Sequence, residues 1–417
     1  MFAPFSTALT ALQSDSSAID VVGNNLANLN TTGFKTETVN FEDLMAQTLG
    51  VASTPGQIGL GVAPIQTATQ YTQGTLTSTN GPLDAAIQGN GFFVVKDATN
   101  QTLYTRDGSF QLDTNGNLVT STGEMVQGWS AVNGVVNPNG TVGNISVPLG
   151  SVSPATPTTS LSVTMNLDAA AATTGAGSTF SAPIQVVDSQ GTTHDLTINF
   201  QKTGANAWSY TVTIPPADLK AGGTAPVATG NLTFDGTGNL LTPAASSGPA
   251  TIKITGLADG ANDMNINWNL FDPSGTSLVT QFAQTSSVGS FSQNGAAAGQ
   301  INNVSLSNGG LLVATYTNGQ QLTIGQLAVA SIANPESLLS VGNNNLAATA
   351  STAPAAIGPA GSAGRGSIVA GSLENSNVDM ATEFTNLLTY ERSYQAASRV
   401  ITTNDQLLQE TVNLIHP

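Results

Sequence analysis

Two short segments with alternating oxygen-bearing side chains are the first candidates for chemistry. Residues 113–117 read Asp-Thr-Asn-Gly-Asn, and residues 235–239 read Asp-Gly-Thr-Gly-Asn. Such alternation is typical of the start of a calcium-binding loop, whose carboxylate and amide oxygens coordinate the ion. Neither segment has the glycine that such a loop requires at its sixth place, so we interpret both as hairpin turns.

The histidines and the glycine-rich segments show no catalytic or phosphate-binding pattern. His194 precedes Asp195 in a predicted strand, and His416 stands next to the last residue, and neither belongs to a triad motif. The glycines at 59–61 and 361–366 are not followed by the Lys-Ser/Thr pair of a phosphate-binding loop. The sequence therefore predicts no catalytic residue, no cofactor and no metal site.

Charged residues are scarce and the basic ones are dispersed. The 417 residues include 9 Lys and Arg, 25 Asp and Glu and no cysteine, which gives a net charge of −16. Because no two basic residues are adjacent, a basic patch for nucleic acid is excluded, and the lack of cysteine excludes disulfides and thiolate metal sites. No apolar stretch approaches the ~20 residues of a membrane span, and no ordinary secretory leader is expected before Lys35.

A long amphipathic segment, residues 376–415, is the element that the rest of the chain must position. Ser376 and Asp379 are placed to cap a helix, and apolar residues then recur at alternating spacings of four and three from Met380 onward. Glu391 and Asp405 interrupt this seam. At ~1.5 Å per residue the helix would be about 60 Å long and would need partners along its length. The predicted assembly residues are Phe384, Leu387, Tyr394, Ile401, Leu408, Val412 and Ile415.

A second stripe of the same spacing runs through the first thirty residues. Pro4 suits the first turn of a helix, whereas Ser14, Gly23 and Asn24 are among several weak helix formers. Packing against another helix must therefore stabilise this segment. Its predicted assembly residues are Leu9, Leu12, Ile19, Val22, Leu26 and Leu29.

The middle of the chain has the period of two that predicts β-strands, with Asn-Gly, Asp-Gly and Gly-Asn turns between short apolar runs. We predict a multidomain fold in which terminal α-helices form a coiled-coil-like inner domain and mainly antiparallel β domains are nested by insertion. The predicted domains are a helical one (1–34 with 372–417), a connecting region (35–70 with 351–371), a β domain (71–145 with 285–350) and an inserted outer β domain (146–284).

Four separated stretches resemble the axial proteins of the bacterial flagellum, the rod, hook and hook-associated family. They read NNLANLNTTGFK at 24–35, LDAAIQGNGFFVV at 83–95, YTRDGSFQLDTNGNLVTSTG at 104–123 and GSLENSNVD at 371–379. The family motif residues are Asn24, Asn25, Leu26, Ala27, Asn28, Gly33, Phe34, Gly371, Ser372, Leu373, Glu374, Ser376, Asn377 and Val378.

This resemblance implies a structural subunit of a tubular helical homopolymer, exported through the flagellar type III apparatus. The large insertion between 145 and 285 favours the hook, the flexible universal joint that transmits torque from rod to filament. The implied place is the extracellular hook attached to the basal body. The implied partners are other copies of the chain, the distal rod protein, the hook cap and the hook-filament junction proteins.

Two alternatives stay open from the sequence. One is the distal rod subunit of the flagellum, which belongs to the same family. The other is a secreted β-rich adhesin with helical ends, which the Thr-rich strands and the acidic balance suggest. Curved tubes of purified protein in the electron microscope indicate the hook, straight tubes the rod, and no polymer the adhesin.

We predict that both terminal segments are largely disordered before assembly, because their helix propensity is weak and their seams need partners. Amide hydrogen exchange on the soluble monomer measures this directly. Rapid exchange is expected across residues 19–29 and 394–408. Strong protection there before polymerisation would contradict the prediction.

Overall fold

The computed structural model describes residues 3–44, 47–49, 56–175, 177–220 and 226–415. Two long α-helices stand at the ends of this chain, α1 over Ala3–Ala27 and α2 over Met380–Ile415. Within the described residues, neither helix combines the length and the apolar character that a membrane crossing needs. The chain divides into two compact units, Met1–Leu149 with Val304–Ala314 and Leu322–Pro417, and Gly150–Asn303 with Thr315–Gln321. We call them unit 1 and unit 2.

The first thirteen strands belong to unit 1 and are short. They are β1 Glu37–Asn40, β2 Gln47–Leu49, β3 Gly56–Ile58, β4 Gln66–Thr69, β5 Leu76–Ser78, β6 Ala85–Gln88, β7 Phe92–Lys96, β8 Thr102–Thr105, β9 Phe110–Leu112, β10 Leu118–Thr120, β11 Met125–Val132, β12 Val135–Val136 and β13 Gly143–Asn144.

Eleven further strands, which all lie in unit 2, follow along the chain. They are β14 Val152–Ser153, β15 Ser160–Asp168, β16 Thr179–Val187, β17 Thr193–Gly204, β18 Ala207–Thr213, β19 Ala228–Phe234, β20 Leu240–Thr242, β21 Ala250–Ile254, β22 Met264–Asn269, β23 Val279–Phe282 and β24 Ser287–Gln293.

The remaining strands lead back towards α2. Three of them, β25, β26 and β27, cross between the residue ranges of the two units, and the last six belong to unit 1. They are β25 Gly299–Ser307, β26 Leu311–Tyr316, β27 Gln321–Leu327, β28 Val329–Ser331, β29 Leu339–Gly342, β30 Asn345–Ala347, β31 Ala356–Gly358, β32 Ser367–Ala370 and β33 Ser372–Glu374.

Unit 1 is closed by strands from distant parts of the sequence. Strand β7 pairs with β8, β11 and β28, and its four apolar residues are all buried because the sheet is covered on both faces. Phe92 and Val94 pack in one core with Trp129, whereas Phe93 contacts Phe110 edge-on at 5.0 Å. Near α2, β32 pairs with β6 and β33 pairs with β5. The two strands that precede α2 therefore pair with strands that lie about 300 residues earlier in the sequence.

Unit 2 has two five-stranded sheets whose inward side chains form one core. One sheet has the order β16-β17-β18-β19-β20, and the other has β21-β22-β15-β23 with β24 also on β15. Burial alternates strictly along β17 and β18, as expected for strands with one buried face. Trp208 and Trp268 are at most 1% exposed, and Tyr210 contacts Trp268 edge-on at 5.1 Å.

The predicted fold class is confirmed. Terminal helices pack against each other, and nearly all strand pairs are antiparallel. Among the strand pairs whose register is described, those of β15 with β22 and with β23 are parallel. Both acidic segments considered for calcium are turns, as predicted. Oδ1 of Asp113 accepts hydrogen bonds from the N–H groups of Asn115 and Asn117, and Asp235 makes the same pattern with Thr237 and Asn239.

The start of α2 differs from the prediction. The helix begins at Met380 and not at Ser376, and Asp379 caps it by accepting a hydrogen bond from the Thr382 N–H at 2.7 Å. The physical reason is that the preceding residues are held in an extended conformation. Strand β33 pairs with β5, and the Asn375 N–H donates to the Thr75 carbonyl at 2.9 Å.

We predict that residues 150–303, produced alone, unfold cooperatively, since the core of unit 2 is made of residues from within this segment. Thermal melting by circular dichroism measures this. A matched segment that ends at 284, the predicted domain boundary, lacks β24 and leaves one edge of β15 unpaired, so it should melt at a lower temperature. A broad, dye-binding transition of the longer segment would contradict the prediction.

Candidate assembly site

The two terminal helices pack antiparallel in unit 1. Asn25, near the end of α1, lies beside Glu383 in the first turn of α2, and Asp15 lies near Tyr390 further along. Ala8 and Ala18 on α1 are also buried. Because both helices rise by about 1.5 Å per residue, α2 residues beyond about 405 lie past the first described turn of α1.

Two acidic side chains are buried where the helices meet. Asp15 is 8% exposed and Glu383 is 5% exposed. Burial raises the pKa of both carboxyl groups, since the charged form loses its hydration. Nearby, the rings of Tyr390 and Phe41 stand 5.8 Å apart. The helix contact is therefore partly polar, and it leaves apolar surface elsewhere on α2.

The predicted seam residues occupy different environments in the single chain. On α1, Val22 is buried, Leu9 is 39% exposed, and Leu12, Ile19 and Leu26 are half-buried. Leu29 was predicted on the helical seam, but α1 ends at Ala27 and Leu29 lies half-buried in the turn that follows. On α2, Leu387, Ile401 and Leu408 are half-buried, whereas Phe384, Tyr394 and Val412 are exposed. The side chain of Ile415 lies outside the described residues.

Helix α2 presents two apolar flanks, one on each side of the stripe that faces α1. At 100° per residue, Glu383, Leu387, Tyr390 and Ile401 fall within one sector, and all are buried or half-buried. The first flank is Met380, Phe384 and Leu388, and the second flank is Val400 and Leu407. These five side chains are 49–57% exposed. The two flanks lie about 150° apart around the helix axis.

The N-terminal motif forms the turn between α1 and β1. The buried Asn25 side chain donates to the Glu37 carbonyl at 2.8 Å and accepts from the Glu37 N–H at 3.0 Å, so it holds the strand as a second strand would. Asn28 closes the helix end by donating to the Asn24 carbonyl at 2.9 Å. Leu26 is half-buried, and Ala27 is exposed as the last helical residue.

Gly33 is required by a close approach of two backbones. Its φ of +71° lies in the left-handed region, and a Cβ there would stand 2.7 Å from the Arg106 carbonyl carbon. The Gly33 N–H donates to the Glu374 carbonyl at 2.7 Å, which joins the two motifs directly. Phe34, the next residue, accepts from the Asn377 N–H at 3.4 Å through its carbonyl.

The C-terminal motif anchors the entry to α2. Asn377 accepts from the Thr36 N–H at 2.7 Å and donates to the Gln70 carbonyl at 2.8 Å. Ser376 accepts from the Val378 N–H at 3.3 Å, and Val378 is buried. Just before β33, the Gly371 N–H donates to the Asp84 carbonyl at 2.8 Å. Within β33, Ser372 is buried and Leu373 is half-buried.

Glu374 is the centre of a buried ion cluster. Its side chain is 0% exposed, and its two oxygens lie 2.6 Å from Lys35 Nζ and 3.0 Å from Arg106 Nη1. Oε1 also accepts from the Gly74 N–H at 2.9 Å, and Lys35 donates to the Thr72 carbonyl at 2.8 Å. Burial lowers the pKa of Lys35, although the Glu374 carboxylate opposes this effect. One carboxylate therefore pairs with two buried cations.

Lys35 and Arg106 are structural residues that the sequence analysis did not single out. Each lies within a stretch that resembles the flagellar family, but neither was selected as a motif residue. The sequence did contain one indication of their role. The chain has only 9 basic residues, and a cation beside apolar strands is costly unless it is paired with an acidic group. Arg106 also stacks on the Phe92 ring, with its guanidinium carbon 5.3 Å from the ring centre.

We predict that Glu374→Gln destabilises unit 1 by about 3 to 5 kcal/mol, because it leaves two buried cations without a carboxylate. Lys35→Met should cost less, since Arg106 and Glu374 then remain as a balanced pair. Urea unfolding measures both changes, with Glu336→Gln at an exposed glutamate as the matched control. Equal midpoints for Glu374→Gln and Glu336→Gln would show that the cluster does not stabilise the fold.

Family models for four flagellar domains match in order along the chain. They are described as "Flagella basal body rod protein" (residues 5–35), "Flagellar hook protein FlgE/F/G D1 domain" (86–166), "Flagellar basal body protein FlaE D2 domain" (172–296) and "Flagellar basal body rod FlgEFG protein C-terminal" (369–414). The first and last matches fall on the helices and motifs described above.

Relatives similar over the full length of the chain include several flagellar hook proteins. The flagellar hook protein FlgE of Treponema pallidum (strain Nichols) is 32% identical over 456 residues, which is 98% of this chain and 98% of the relative. That of Escherichia coli (strain K12) is 33% identical over 421 residues, covering 98% and 99%. The solved structure of Helicobacter pylori flagellar hook protein FlgE2 covers 65% of this chain and 93% of its own, at 12% identity and a TM-score of 0.46. On the full-length identity, the chain belongs to the family of flagellar hook protein FlgE.

Proposed function

We propose that this chain polymerises through its terminal helices into the flagellar hook, of which it is a structural subunit. The observation that carries the proposal is the pair of apolar flanks on α2. A single α1 covers one sector of α2 and leaves the first flank and the second flank about half exposed. Contacts with further copies of the chain would bury these surfaces.

Two separated flanks suit a tube better than a closed dimer. A dimer with two-fold symmetry would cover one patch on each copy. Flanks on opposite sides of the α1-facing stripe instead allow one copy to contact two different neighbours. Repetition of such unlike contacts generates a helical polymer when the rotation does not close. We infer that the predicted seam residues on both helices contribute to these contacts.

The polar surface of the β units supports flexibility of the hook. The chain has 8% charged residues, so neighbouring subunits have few ion pairs to break when the tube bends. Hydrogen bonds made by Ser, Thr and Asn side chains re-form at small cost after a displacement. Sliding of β surfaces against one another would let a torque-bearing joint bend without losing its helical core.

Further partners and the absence of catalysis are part of the same proposal. The distal rod protein, the hook cap and the hook-filament junction proteins would meet the two ends of the polymer, after export through the flagellar type III apparatus. A catalytic role is not proposed, since members of this family are structural. The full-length identity to hook proteins favours this reading over the distal rod and adhesin alternatives.

We predict that Phe384→Ala in the first flank and Leu407→Ala in the second flank each abolish or shorten tubes while leaving the monomer's melting temperature unchanged. Each removes apolar surface that is exposed in the monomer, and the loss of about 1 kcal/mol recurs at every subunit. Sedimentation and negative-stain microscopy measure assembly. Thr385→Ala, an exposed position of α2 between the flanks, is the control. Normal tubes from both flank variants would refute assembly through α2.

A further inference from the structure

A histidine and three aspartates converge in unit 2, at a place that no part of the assembly argument uses. The three side chains Asp188, His194 and Asp259 offer ligand atoms that all lie within 4.8 Å of one another. We propose that this cluster binds one divalent transition-metal ion of the zinc type, through Nε2 of His194 and Oδ2 of Asp188 and Asp259. The sequence alone predicted no metal site, so this proposal differs from that prediction.

The distances fit a tetrahedral ion. His194 Nε2 lies 3.1 Å from Asp188 Oδ2 and 3.7 Å from Asp259 Oδ2. Zinc bonds to nitrogen and carboxylate oxygen are about 2.0–2.2 Å long, so neighbouring ligand atoms of a tetrahedral site stand about 3.3–3.5 Å apart. The two observed distances bracket that value. Small side-chain rotations would place all three atoms at bonding distance from one ion.

In both ligand aspartates, Asp188 and Asp259, one carboxylate oxygen accepts backbone hydrogen bonds and the other faces His194. Oδ1 of Asp188 accepts from the N–H groups of Gln190, Gly191 and Thr192 at 2.7 to 2.9 Å, whereas Oδ2 points to the histidine. Oδ1 of Asp259 accepts from the Ala261 N–H at 3.0 Å, and its Oδ2 also points to the histidine. The ligand oxygens are thus oriented before an ion arrives.

The remaining aspartate orients the imidazole. Asp218 Oδ2 lies 3.2 Å from Nδ1 of His194. In metal sites, the ring nitrogen that does not bind the ion usually donates its proton to a carboxylate, which fixes the tautomer and leaves the other nitrogen as a ligand. Asp218 occupies that position. His194 is 4% exposed, so its ring has little freedom to turn away.

The turn made by Asp188 is common in this chain, and what distinguishes the cluster is that three aspartates meet one histidine. Asp113, Asp235 and Asp272 make the same turn with their own following residues, and no histidine lies in those turns. Asp188, Asp218 and Asp259 instead come from three separate segments of unit 2. These segments already touch, since the Ala258 N–H donates to the Asp218 carbonyl and the Asn262 N–H donates to Ser189 Oγ.

A bound ion would cross-link these three segments of unit 2. The Asp259 side chain is 26% exposed, so a fourth position of the ion opens to solvent and a water molecule can complete the coordination. The competing account is that a doubly protonated His194 alone balances the carboxylates. In that form both ring nitrogens carry protons, and no metal ion binds.

Zinc titration of the full-length chain separates the two accounts. The protein, carrying His416→Ala to remove the other histidine, is treated with a chelator, dialysed at neutral pH and titrated with Zn²⁺ by calorimetry. We expect one ion per chain, release of protons, and a higher melting temperature of unit 2 that excess chelator reverses. Co²⁺ in place of Zn²⁺ should give the visible absorption of a tetrahedral site.

Three variants assign the ligands. Asp259→Asn, at a partly exposed position that tolerates substitution, should weaken Zn²⁺ binding at least about 100-fold and remove the Co²⁺ band. Asp218→Asn should weaken binding by about 10- to 100-fold, as expected for a carboxylate that orients a ligand. Asp195→Asn is the matched control, because Asp195 is exposed on the same strand and outside the cluster. No stoichiometric binding by the parent chain, or equal affinity of Asp259→Asn and Asp195→Asn, would overturn the proposal.

Discussion

The pairing of Glu374 with Lys35 and Arg106 is the constraint on which the arrangement of unit 1 depends. A buried carboxylate between two cations is costly to form and more costly to break, because each partner left alone is a charge in a low-dielectric interior. The three residues come from the turn after α1, the β8–β9 connection and β33. These ion pairs therefore fix where β33, near the C-terminal helix, meets the residues that follow α1.

The backbone around the cluster depends on the same geometry. The Gly33 N–H reaches the Glu374 carbonyl, and Asn377 bridges the backbones of residues 36 and 70. These bonds hold the residues before α2 extended and set the direction in which the helix leaves the β strands. A helix directed in this way meets α1 along one sector, so its remaining apolar surface stays available to neighbouring subunits. Monomer folding and polymer assembly are linked through this single joint.

The two units solve the problem of burial in different ways. Unit 2 buries its large aromatic side chains between two sheets, with Trp208 and Trp268 at most 1% exposed. The helical part of unit 1 does not, since five large apolar side chains of the two flanks remain about half exposed on α2. A domain with its own core is stable by itself, whereas a helix pair with uncovered flanks gains its full stability only in an assembly. This division suits a subunit whose core must be rebuilt by contacts with its neighbours.

Local pattern by itself determined much of this protein. The period of two predicted β-strands in the middle of the chain, the Asn-Gly, Asp-Gly and Gly-Asn pairs predicted turns between them, and the four family stretches indicated the flagellar lineage. Tertiary structure decided what depends on residues far apart. It moved the start of α2 to Met380 through the β33–β5 pairing, and it placed β31 within residues 351–371, for which the sequence predicted only a connecting region. It also chose which sector of α2 faces α1, and it assembled the clusters around Glu374 and His194. A repeat of apolar residues defines a stripe on a helix but not the element that packs against it. An ion pair between residues about 340 positions apart, such as Lys35 and Glu374, cannot be predicted from local residue spacing.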